Sequence, residues 1–202
     1  MRSISRLALE LALLMGIVLL CGRVNYAAAD DSKKGLWKKK YPNVTLKTQD
    51  NKELRFYENI IKGKCVVINF MYTTCDGELC TKGIENLKEV QAGLEDLKKH
   101  LGYEVFMYSI TLDPKTDTPE VLKDYATTHN AKWTFLTGRP EDIEKIRLAL
   151  GQTISDAKKD AERKNHTGLI QILYEPTGKK QSISVMAKPQ RIWGMIERVC
   201  TR

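Results

Sequence analysis

Two cysteines five residues apart, Cys75 and Cys80, and one histidine far downstream, His166, are the residues of this chain best suited to chemistry. The pair sits in Thr73-Thr74-Cys75-Asp76-Gly77-Glu78-Leu79-Cys80, where an apolar run gives out and an amphipathic stretch begins. A helix N-terminus carries unsatisfied N–H groups and a partial positive charge, and both favour thiolate over thiol. Thiolates attack disulfides and bind soft metals. On a regular helix, residues five apart lie about 140° apart around the axis. The two sulfurs therefore converge only if Cys75 lies in a loop and Cys80 in or near the first helical turn. Gly77 between them offers the backbone freedom such a reversal needs. Two thiolates suit Cu(I), and a neutral imidazole completes a three-coordinate site that also accepts Cu(II). Of the three histidines, His100 and His129 fall at helix ends and read as capping or surface residues. His166, in Asn165-His166-Thr167-Gly168, precedes a strand. At this level redox exchange, metal binding and a plain structural disulfide all stay open.

The elements that must position these residues follow from periodicity. Val44 and Leu46 alternate with polar neighbours, Gln49 to Lys52 makes a turn, and residues 53–57 return, which gives an N-terminal hairpin. Residues 65–71 are nearly all apolar and rich in β-branched residues, as in a central strand buried on both faces. Ile84, Leu87, Val90, Leu94, Leu97 and Leu101 form one stripe of a helix from about Cys80 to His100, stopped by Gly102. A strand over 105–111 follows. Helices opened by Pro119 and Pro140 then flank a strand at 133–136. Residues 152–164 are charged and read as a loop or frayed helix. Strands at 169–174 and 182–186 form a second hairpin, and Pro189 opens a last helix ending near Cys200. The order predicts an α/β domain with a thioredoxin-like central sheet flanked by helices and an N-terminal β-hairpin. In such a sheet the start of the strand after His166 faces the cysteine loop.

The ends bear on where that chemistry happens. Arg2 and Arg6, the apolar run Leu11 to Cys21 and the closing Ala27-Ala28-Ala29 have the layout of a secretory signal over residues 1–29, with an uncleaved anchor as the alternative. Residues 30–42 read as a basic polar linker and 43–202 as the domain. The expected protein is exported, to the periplasm or anchored facing it. Much of the positive net charge beyond residue 29 lies in Lys33, Lys34, Lys38, Lys39 and Lys40, a solvated leader that can also meet a membrane surface. Export, and the lack of a basic-aromatic motif, argue against nucleic acid as a partner. Cys65 and Cys200 read as packing residues; nothing in the sequence supports a bridge between them.

Ordered matches narrow the choice. They are Val67-Ile68-Asn69-Phe70-Met71-Tyr72-Thr73-Thr74-Cys75, then Ser109-Ile110-Thr111-Leu112-Asp113-Pro114-Lys115-Thr116-Asp117-Thr118-Pro119, then Trp133 to Gly138, then Asn165-His166-Thr167 ahead of Pro176-Thr177-Gly178. In this set the chain resembles the Sco/SenC family of thioredoxin-like copper-binding assembly factors for cytochrome c oxidase, over roughly residues 42–200. The resemblance implies copper held by Cys75, Cys80 and His166, with the acidic Asp113 behind them to orient or balance charge. It implies a copper chaperone whose acceptor is an oxidase subunit or another extracytoplasmic copper protein. The chain departs from the family pattern, which spaces its cysteines C-x3-C with a proline after each. Here the spacing is C-x4-C, Asp76 and Thr81 stand in place of the prolines, and Asn165 precedes the histidine. The competing expectation is a thiol–disulfide oxidoreductase in which Cys75 attacks a redox partner and Cys80 resolves, without need of His166.

Overall fold

The computed structural model describes residues 37–162 and 165–201; the secretory leader expected over 1–29 lies outside them. The strands are β1 (Thr45–Thr48), β2 (Glu53–Arg55), β3 (Cys65–Met71), β4 (Val105–Thr111), β5 (Thr134–Gly138), β6 (Leu169–Tyr174) and β7 (Lys179–Ser184). The helices are α1 (Glu78–Ala92), α2 (Leu94–Leu101), α3 (Pro119–Thr128), α4 (Pro140–Ala149), the single turn α5 (Ala157–Asp160) and α6 (Pro189–Cys200). All seven strands join one sheet in the order β2-β1-β5-β4-β3-β6-β7. β3, β4 and β5 run parallel, while β6 runs antiparallel to β3 and β1 antiparallel to β5. The expected N-terminal hairpin forms and is stitched to the central sheet through β1.

Alternation along β3 explains its place at the centre. Cys65, Val67 and Met71 face a core shared with α1, α3 and α6; Val66, Ile68 and Phe70 face a second core built from Leu46, Phe56, Ile60, Ile61 and α4. A strand buried on both faces has no polar side to offer, hence its nearly continuous apolar sequence. The second core also holds Trp37 and Tyr41, both buried. This corrects the expectation of a linker through residue 42: residues 37–40 form a helical turn, and its aromatics pack while Lys38, Lys39 and Lys40 face solvent.

The long helix expected over 80–100 is two helices. It breaks at Gly93, where the indole of Trp193 from α6 lies so close that a Cβ would sit 2.7 Å from its ring. Trp193 Nε1 also donates to Val90 O at 3.0 Å. A side chain brought from 100 residues downstream therefore ends α1, and no local pattern announces it. Cys65 and Cys200, read from the sequence as packing residues with no sign of a bridge, are joined by a disulfide that ties the start of β3 to the end of α6. Among the described residues no helix is long and apolar enough to cross a membrane.

Candidate metal centre

The site sits at the C-terminal end of β3. Two residues past the strand the chain turns back through a hydrogen bond from Cys75 N to Tyr72 O, and α1 starts at Glu78. Cys75 therefore lies in the loop and Cys80 in the first turn of α1, with Cys80 N bonded to Gly77 O at 3.0 Å. Gly77 sits at φ −72°, ψ 159°, ordinary extended backbone, so the reversal does not use a glycine's freedom. The two cysteines are half-buried and joined as a disulfide, with 6.0 Å between their Cα atoms. Glu78 faces solvent.

His166 arrives through the antiparallel pairing of β6 with β3. Pairs such as Ile68 with Gln171 place the start of β6 beside the end of β3. Gly168 sets the last step. Its φ is +60°, and a Cβ there would lie 2.6 Å from Cδ1 of Leu79 in α1; glycine lets the two segments close on each other. Gln152 braces the same loop: its Nε2 donates to Leu169 O at 3.1 Å, and its Oε1 accepts from the Thr167 hydroxyl. The outcome is His166 Nε2 at 3.6 Å from Cys80 Sγ. One ligand atom each from Cys75, Cys80 and His166 lie within 4.8 Å of one another, the only such group of three or more Cys, His, Asp or Glu among the described residues.

The imidazole environment suits metal binding. Burial holds the His166 pKa below its ordinary value of 6.5, which keeps the ring neutral at neutral pH, the form that ligates. Tyr72 packs edge-on against it, with 5.9 Å between ring centroids. Nδ1 is buried without a hydrogen-bond partner, so the ring is oriented by packing and by the contact of Nε2 with Cys80 Sγ. A cleft of about 450 Å³, floored by Phe70, Leu112 and Ile143, opens beside His166. The disulfide holds the two sulfurs against each other. Reduction to two thiols is therefore needed before they can act as ligands.

The other expected residues fall elsewhere. His100 is exposed and pairs with Glu197 at 2.8 Å. His129 caps α3 and packs on the ring of Tyr125, 4.3 Å between centroids. Asp113 is half-buried beside the site but outside the group of three. Its carbonyl takes the N–H groups of Thr116 and Asp117 at 3.0 and 2.8 Å, closing a turn after β4. The carboxylate that grips the cysteine segment is Asp117, four residues on. It is fully buried and bonded to Thr73 and Thr111. Asp113 and Asp117 both lie in Asp113-Pro114-Lys115-Thr116-Asp117, and no local pattern marks Asp117 as the one that reaches Thr73.

Comparison with known proteins agrees with this architecture. An SCO2-like protein of Rickettsia felis is 33% identical over 91 residues, 45% of this chain. That match spans 42% of the relative's own length. The structure of Bradyrhizobium japonicum ScoI with copper bound superposes with a TM-score of 0.58 at 22% identity, covering 77% of this chain and 96% of that one. BsSco, described with a disulfide switch and as a member of the Sco family of cytochrome c oxidase assembly proteins, superposes at 0.62 with 22% identity, covering 80% and 94%. These likenesses show the thioredoxin-like fold. The SCO1/SenC family model matches residues 43–201, nearly the whole described domain, and the chain belongs to that family.

Proposed function

We propose that this protein is a copper metallochaperone that holds its cargo through Cys75, Cys80 and His166. The observation that carries the reading is the meeting of two sulfurs and one neutral imidazole nitrogen within 4.8 Å, a soft donor set that favours Cu(I). A partner dithiol first opens the Cys75–Cys80 disulfide. Two electrons and two protons pass to the sulfurs, and the partner leaves as a disulfide. Copper then displaces the two thiol protons, and His166 Nε2 supplies the third donor. The half-buried sulfurs stay within reach of an acceptor's ligands. By family, that acceptor is an oxidase subunit or another copper protein outside the cytoplasm, with Asp113 balancing charge near the site. The leader over 1–29 exports the chain to the periplasm, cleaved or kept as an anchor, and the exposed lysines at 38–40 fit an anionic surface.

The test is titration of the fully reduced protein with Cu(I) against a competing chelator, beside the Cu(II) absorption spectrum. One bound equivalent is expected, with intense thiolate-to-copper bands that vanish in Cys75→Ser and change in His166→Ala. Unchanged affinity in both variants refutes the reading. The half-exposed disulfide itself favours a second reading, thiol–disulfide exchange with a partner. That activity needs Cys75 and Cys80 alone, so a His166→Ala variant that exchanges at the wild-type rate yet loses copper separates the two.

A further inference from the structure

We infer that Asp117 is a positioning residue that holds Cys75 in place for its chemistry, acting through Thr73. The Asp117 side chain is 0% exposed. Burying a carboxylate is costly unless its oxygens are satisfied. Here an amide and two hydroxyls do this. Oδ1 accepts from Thr73 Oγ1 at 2.5 Å, Oδ2 accepts from Thr73 N at 3.2 Å, and Oδ2 also accepts from the Thr111 hydroxyl. Both donor groups of Thr73 are thus spent on one carboxylate.

The placement gives this grip its consequence. On its own side Asp117 is fixed by its N–H to Asp113 O at 2.8 Å, just ahead of Thr118, which caps α3. On the far side Thr73 stands between the end of β3 and Cys75, inside the turn that Cys75 N closes onto Tyr72 O. Around Cys75 the loop is open to solvent: Thr74 before it and Asp76 and Gly77 after it are exposed. The five-residue step to Cys80 therefore leaves Cys75 anchored from the Thr73 side. A pair of apolar side chains would fill this space at less cost. A fully bonded carboxylate instead fixes direction, because its hydrogen bonds tolerate little displacement. The same grip serves whether Cys75 binds metal or exchanges disulfides. The metal arm of the test rests on the copper reading above, and the exchange arm does not.

The experiment compares wild type, Asp117→Asn, Thr73→Val and Thr73→Ser. It measures the Cys75–Cys80 exchange constant with a small dithiol, Cu(I) affinity by chelator competition, and Tm as a check on folding. Thr73→Val, which keeps the shape and loses the hydroxyl, carries the test if Asp117→Asn fails to fold. The expected result is a loss of roughly tenfold to a hundredfold in Cu(I) affinity for Thr73→Val and Asp117→Asn, the range typical of groups that orient metal ligands. The exchange constant shifts several-fold with it, and Thr73→Ser stays near wild type. Folded variants with unchanged exchange constant and unchanged affinity overturn the proposal, as does a loss in Thr73→Ser equal to that in Thr73→Val. If wild type itself takes up no Cu(I), the copper reading fails, and the exchange constant still decides the role of Asp117.

Discussion

The described residues hold two disulfides at opposite ends of one neighbourhood, and they differ in everything except the bond. Cys65–Cys200 closes 135 residues, and both partners are completely buried in the core between the sheet, α1 and α6. Cys75–Cys80 closes five residues, half-buried, in a loop and the first turn of a helix. On the chain-entropy account, closing the long loop constrains the unfolded chain by about 5 kcal/mol and the short one by about 2 kcal/mol. Burial also denies reductant to the first pair while leaving the second within reach. The contrast teaches that position assigns the role. The first pair pins the last helix onto the sheet, and the second can open at a smaller cost to stability.

The strongest way to break this comparison is to remove the buried pair. Cys65→Ser with Cys200→Ser should cost about 2–5 kcal/mol and lower Tm by roughly 5–20 °C, measured by calorimetry, with Cu(I) affinity of the folded protein unchanged. A change in copper affinity would mean the two pairs are coupled. A smaller loss is expected at the close approach of Gly168 to Leu79. Gly168→Ala forces a side chain to φ +60° and against Leu79, so it should cost about 1–3 kcal/mol in chemical denaturation and weaken any contribution of His166. Graded dithiol treatment followed by alkylation and mass spectrometry sharpens the contrast further. Cys75 and Cys80 should be labelled first, with Cys65 and Cys200 protected until the protein unfolds.

The pH dependence is the smallest effect, and its sign follows from burial. The folded pKa of His166 lies below 6.5, so the unfolded chain binds this proton more readily. The stability it contributes is fully present above pH 6.5 and is lost as pH falls from there through the folded pKa. For the same reason the His166-dependent part of copper binding should persist below pH 6.5. Titration of wild type and His166→Ala at several pH values checks both.

Much of this architecture was legible in the residues. The nearly continuous apolar run of β3, the stripe from Ile84 to Val90, and Pro119, Pro140 and Pro189 as helix starts are local signals, and each element stands where they put it. The loop and helical-turn placement of Cys75 and Cys80 followed from helical geometry alone. What escaped depends on partners distant in sequence. Trp193 ends α1 at Gly93, Cys200 finds Cys65, and Asp117 rather than Asp113 turns inward to Thr73. The aromatics Trp37 and Tyr41, set among lysines, read as polar linker because most of their second core, from Phe56 onward, is distant in sequence.

The most direct test reduces the protein just far enough to open Cys75–Cys80, with Cys65–Cys200 verified intact by mass spectrometry, and then measures Cu(I) stoichiometry and affinity beside Cys75→Ser. The account predicts one tightly held Cu(I) per chain in the wild type and a loss of at least about a hundredfold in the variant. Equal affinity in the two, or copper taken up only after Cys65–Cys200 is opened, would contradict it.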